Sequence, residues 1–126
     1  MILDSTAVID FLRDNQEARF RIKEMEEKNV VFATTAITSF ELWQGNMNKK
    51  EEQKLREFLG TLVIFPFTEK DAQIAGTIHK ALKRQGLDIQ PEDSMIAGIA
   101  MAAQEPVLTK NIKHFERIPG LIIETY

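Results

Sequence analysis

The sequence predicts an α/β domain in which a mainly parallel sheet is flanked by helices. Three observations lead there. Short runs rich in β-branched and aromatic residues alternate with helical patterns along the chain. The stretch from Met95 to Ala103 is apolar or Gly at every position, which marks a helix buried on most sides. And 126 residues, 44% of them hydrophobic, suit a single domain over 1–126 with a real core.

Each element follows from local pattern. "MIL" is a short apolar strand that meets Asp4, after which Ala7, Ile9, Phe11 and Leu12 take up helical spacing. "QEARFRIKEMEEKN" (16–29) reads as a mostly exposed helix and "VVFAT" (30–34) as a buried strand. Thr35 can cap a helix in "AITSFELWQGNM", which Gly45 loosens or ends. "KKEEQKLREFLGTL" is amphipathic, with Leu55, Phe58 and Leu59 on its apolar side, and "VIFPF" is a strand that Pro66 closes. A helix capped by Thr68 runs to Gly86 with Ile74, Ile78 and Leu82 as its buried stripe and His79 exposed. The apolar helix follows, then "PVLT" as a strand, "KNIKHFERIPG" as a turn or short helix, and "LIIETY" as a last strand.

Composition narrows the chemistry. With no cysteine, disulfides, thiolate nucleophiles and Cys-based zinc sites are excluded. No apolar run reaches membrane-spanning length and no signal-peptide pattern opens the chain, so a cytoplasmic location is expected. A net charge of −3 argues against tight non-specific nucleic-acid binding, while leaving room for an enzyme that meets nucleic acid through a local basic rim.

Most acidic residues sit in polar runs and are solvated. Asp4, Glu41 and Asp93 do not. Asp4 stands at a strand's carboxyl end, where it can cap the following helix or face a ligand, because parallel sheets bind ligands beyond those ends. Glu41 shares a helical stripe with Ile37, and Asp93 shares one with Ile96, Ala97 and Ala100. An edge position for Glu41 and a capping role for Asp93 are the alternatives. If the strands are neighbours, all three carboxylates converge, and such a group is costly unless a hard cation such as Mg²⁺ shares it.

At these residues the chain resembles PIN-domain ribonucleases. "ILDSTAVIDFL", "TAITSFELWQG", "GLDIQPEDSMIAGIAMA" and "VLTKNIKHFERIPGL" are similar to the family's four ordered motif blocks, most of all to those of small VapC-type toxins. The resemblance implies a three-layer α/β/α fold, Mg²⁺ or Mn²⁺ dependence and RNA hydrolysis. It places the acidic ligands at Asp4, Glu41 and Asp93, with Ser5 or Thr6 steadying the first. The fourth block departs from the family, which often has an acid there. This chain offers Asn111 and His114, with Thr109 nearby, so one metal is expected rather than two.

Around that pocket, Lys110, Lys113 and Arg117 are candidates to hold RNA phosphates, and Trp43 and Phe115 are read as core or dimer contacts rather than base-stacking groups. The expected partners are RNA, a cognate antitoxin and a second copy of the chain. The dimer rests on apolar helices in excess of what a small sheet covers, together with the family likeness. A non-catalytic RNA- or protein-binding module with an incomplete metal site is the rival reading. A phosphoryl-transfer domain fits worse, because "LDST" lacks the second Asp two residues on that a dehalogenase pattern needs.

Overall fold

The computed structural model describes residues 1–126. Five strands form one sheet in the order β3-β2-β1-β4-β5: β1 (Ile2–Leu3), β2 (Ala33–Thr35), β3 (Val63–Phe65), β4 (Val107–Leu108) and β5 (Ile123–Glu124). Every pairing is parallel, with Ile2 facing Ala33 on one side and Val107 on the other. All strands therefore end on one edge. Strand order reverses between β1 and β4, where neighbouring connections leave in opposite directions and open a crevice.

Side-chain alternation along so short a sheet still builds two cores. Leu3 and Leu108 point into a cluster with α1 (Ser5–Leu12), α2 (Gln16–Glu27) and α4 (Lys49–Leu59). Ile2 and Val107 point the other way, against Ile99 and Ala100 of α6 (Pro91–Ala103). Beside them α5 (Glu69–Arg84) and α7 (Ile112–Phe115) contribute Leu82 and Phe115 to a further cluster. The result is the expected three layers. α3 (Ala36–Trp43) bridges them, sending Leu42 to the first core and Ile37 to the second.

The apolar helix α6 lies inside as its composition requires: Ile96, Ala97, Gly98, Ile99 and Ala100 are all buried. Its closest partner is α5. A Cβ added at Gly98 would lie 2.7 Å from the Asp71 carbonyl oxygen and 2.9 Å from Ala75 Cβ, so only glycine lets the two helices approach this far.

Three expectations need correction. The strand predicted over 30–34 begins at Ala33; Val31 is 74% exposed, because the chain at 30–32 is still rising from the turn after α2 to the sheet. The buried positions of α5 are Asp71, Ala75 and Leu82, with Ile74 and Ile78 only half-buried, since α6 covers one flank of that helix. His79 is not simply exposed. It is half-buried, and its Nδ1 lies 2.9 Å from the hydroxyl of the buried Ser94, tying α5 to α6. No helix is long and apolar enough to cross a membrane.

Candidate metal centre

The carboxyl edge of the sheet delivers the site. β1 hands directly to Asp4, which is the N-cap of α1 and accepts a 3.0 Å hydrogen bond from the Ala7 amide on Oδ1. β2 ends at Thr35, whose side chain caps α3 through the Thr38 amide at 3.0 Å and so sets the helix that carries Glu41. α6 begins with Pro91 at its first position, and Asp93 lies in that first turn. Gln90, not Asp93, occupies the cap position, so the capping alternative for Asp93 falls.

Asp4, Glu41 and Asp93 line one cavity of about 310 Å³. Ser5, Asn111 and His114 line it as well, so most of the sequence-derived candidates meet here. Thr6 and Thr109 act from behind Asp4 rather than from the cavity wall. Thr6 Oγ1 donates to Asp4 Oδ1 at 2.6 Å, and Thr109 Oγ1 donates to Oδ2. Each hydroxyl in turn accepts a backbone amide, Lys110 N–H to Thr6 at 3.0 Å and Asn111 N–H to Thr109 at 2.9 Å. Each amide occupies one lone pair of its hydroxyl, and both hydroxyl protons are directed at Asp4.

The electrostatics are those of carboxylates crowded without a counter-charge. Burial pushes the Asp4 carboxyl up, and the hydrogen bonds from Thr109, Thr6 and Ala7 pull against it. Glu41 is pushed up to about 7, by burial first and then by the negative charges of Asp93 and Asp4. Asp93 is raised by burial, opposed by His114, whose Nδ1 lies 3.0 Å from its Oδ2.

One atom stands out. Glu41 Oε1 is the single buried side-chain oxygen or nitrogen without a hydrogen-bond partner. A buried orphan acceptor is costly unless something completes it, and a hard divalent cation with oxygen ligands does so. The donor set therefore fits Mg²⁺ or Mn²⁺. The side chains are not closed on a common point, however: no three acidic or histidine groups cluster tightly enough to grip an ion as they stand. Asp93 is turned to His114. The three carboxylates converge on one cavity.

Other candidates fall elsewhere. Lys110 is turned away from the cavity: its Nζ lies 3.1 Å from Glu17 Oε2, donates to the Tyr126 carbonyl at 2.7 Å and stands over the Tyr126 ring. Phe115 is core, only 1% exposed, and Trp43 lies at the surface beneath the Arg56 guanidinium. Gln44, Gln90 and Glu92 also line the cavity, and sequence reading missed them. Glu92 carried a usable signal, an acid beside Asp93 in a helix's first turn; the two glutamines carried none.

Comparison with known proteins agrees with this fold. The family model described as PIN domain matches residues 1–121. The chain is 33% identical to Ribonuclease VapC2 of Rickettsia felis over 99% of this chain and 96% of that one. It is 28% identical to the tRNA(fMet)-specific endonuclease VapC of Salmonella typhimurium, over 94% and 99%. Among solved structures, VapBC2 from Rickettsia felis bound to a promoter DNA fragment superimposes with a TM-score of 0.87 at 29% identity, covering 99% and 97% of the two chains. DNA-bound VapBC from Salmonella typhimurium gives 0.84 at 30% identity, covering 98% and 96%.

Proposed function

The chain belongs to the PIN-domain family, and on that premise we propose that it is a VapC-type toxin: a divalent-metal-dependent endoribonuclease that hydrolyses RNA phosphodiester bonds. The observation that supports this most is the meeting of Asp4, Glu41 and Asp93 in one cavity at the sheet's switch point, with Glu41 Oε1 buried and unpartnered. The ribonuclease names of the full-length relatives support the substrate class.

In this reading Asp4, Glu41 and Asp93 hold the cation, Mg²⁺ or Mn²⁺. When bound, such an ion lowers the pKa of water and neutralises charge on a phosphodiester. Thr6, Thr109 and the Ala7 amide fix Asp4 and leave one lone pair, on Oδ2, for the cation. Ser5 and Asn111 supply neutral oxygens at the rim, and His114 orients Asp93. Asn111 and His114 stand where the family often has an acid, so one ion per chain is expected. The cytoplasm is the place of action, and residues 1–126 act as one domain because every strand belongs to one sheet.

The partners in this reading are RNA, a second copy of the chain and a cognate antitoxin. Solved relatives are VapBC assemblies, which supports the last. An antitoxin arginine entering the acidic cavity would pair with its carboxylates and compete with metal.

The test is direct. Asp4→Asn, Glu41→Gln and Asp93→Asn should each lower kcat on single-stranded or loop RNA by roughly a hundredfold or more, beyond what loss of an outer-shell partner produces. Circular dichroism should stay unchanged. EDTA should abolish wild-type cleavage, and excess Mg²⁺ or Mn²⁺ should restore it. Cleavage that persists in EDTA, or in all three variants, overturns the reading and favours the non-catalytic module.

A further inference from the structure

A second cavity of about 210 Å³ adjoins the acidic one, and the two share Gln90, Asp93 and His114. Its lining is mixed, with Asp88 beside the shared Asp93 and two cations on the outer side. Lys113 and Arg117 line it, four residues apart around α7 and the turn that follows, so they lie on one face. Phe115 and Ile118, 1% and 3% exposed, anchor the segment between and beyond them in the core and hold that face outward.

These two cations are uncommitted. Neither Lys113 nor Arg117 takes part in any ion pair. Arg117 is nonetheless held in place: its Nη1 donates to the Asp88 backbone carbonyl at 2.7 Å, and although Asp88 lines the same cavity its side chain forms no ion pair with the guanidinium. One of its five N–H donors is thereby used, and the fork keeps donors for a planar oxyanion. Lys110 is the contrast, engaged by Glu17 and Tyr126.

A polyanion approaching this molecule meets a net charge of −3 and a cavity lined by Asp4, Glu41, Glu92 and Asp93. Counter-charge beside that cavity is what lets a backbone reach it. We propose that Lys113, Arg117 and the shared His114 form a phosphate subsite, which takes an RNA-backbone phosphodiester flanking the one to be cut. The subsite rests on the ribonuclease reading for its substrate.

The experiment measures binding and turnover separately. A single-stranded RNA oligonucleotide, kept intact by EDTA because the proposed cleavage needs a divalent cation, serves as binding probe and is titrated by anisotropy at several salt concentrations. The proteins are wild type, the Lys113→Gln/Arg117→Gln double variant, and Lys23→Gln/Lys28→Gln, which makes the same charge change on the exposed face of α2. Losing two phosphate contacts should reduce the log–log salt slope by about 1.4, at ~0.7 per contact for a single strand. KM on cleavable RNA should rise about tenfold with kcat within about twofold, the pattern of lost uniform binding. The α2 control should follow wild type in both. Equal slopes for the two double variants overturn the subsite, as does a loss confined to kcat or failure of the wild type to bind the probe. If the slope changes as expected while no variant or wild type cuts RNA, the subsite stands and the ribonuclease reading falls.

Discussion

Asp4 answers to two demands at once. Its Oδ1 caps α1 through the Ala7 amide, yet the same carboxylate reaches the shared cavity because it follows directly on β1. Glu41 has no such second use, and its environment makes a sign-definite prediction. Its pKa is about 7 in the folded metal-free protein against 4.5 for an ordinary glutamate, so the folded state binds the extra proton between those values. That stability contribution is full below about pH 4.5 and is lost as pH rises through about 7. In chelator, the thermal midpoint of wild type should therefore fall relative to Glu41→Gln between pH 5 and 8 (roughly the titration window of a carboxyl raised this far). With Mn²⁺ the order reverses, because the cation needs the ionised carboxylate; the metal-induced rise should grow with pH in wild type and be small in the variant. Parallel curves for the two proteins would refute the assignment. His114→Asp is the complementary change. It adds a carboxylate at the cavity wall and removes the ring that holds Asp93. Mn²⁺ affinity by calorimetry should rise by about tenfold, since more anionic ligands bind a hard cation more tightly, and an unchanged affinity would place that side chain outside the site.

At the scale of elements, the α5–α6 pair sets the position of Asp93. Pro91 starts α6, the buried run from Ile96 to Ala100 locks it inside, and Gly98 admits α5 at backbone contact distance. Gly98→Ala would place a methyl carbon 2.7 Å from the Asp71 carbonyl oxygen. The helices must then separate, which costs about 1–3 kcal/mol for overpacking. The urea midpoint should fall without a change in m-value. Because α6 carries Asp93, kcat should fall as well, while Gly76→Ala, in open space on the exposed side of α5, should leave kcat unchanged and raise the midpoint slightly, since alanine is the better helix former. The α6 helix was legible in the sequence from its unbroken apolar run. The start of β2 was not: Val30 and Val31 have the composition of a strand, but strand formation requires a partner in register, and the ladder begins only at Ala33 opposite Ile2.

At the scale of the molecule, large apolar side chains remain at the surface. Phe20, Val31, Phe40, Val63 and Ile122 are each more than half exposed. Two of them lie on or beside the edge strands β3 and β5, which have one unpaired side each. Scattered singly such residues are ordinary, whereas gathered into one patch they mark an interface, the role proposed here for a second copy of the chain. The purified chain should be a homodimer, and light scattering at about 50 μM, a concentration well above the micromolar Kd of a weak interface, should give twice the mass of one chain. A single-chain mass would exclude the dimer.

The sequence by itself determined the alternation of strands and helices, the burial of α6 and the choice of Asp4, Glu41 and Asp93, because periodicity and misplaced charge are local properties of the chain. It did not decide which candidates share a space. Lys110 and Lys113 look equivalent in "TKNIKHFE", yet the fold pairs the first with Glu17 and Tyr126 and leaves the second beside the acidic cavity. His79 and His114 likewise go to different partners, Ser94 within the α5–α6 interface and Asp93 at the cavity. Such partners lie 15 to 93 residues apart along the chain. Contacts at that separation are set by sheet order and helix packing, which no local pattern encodes.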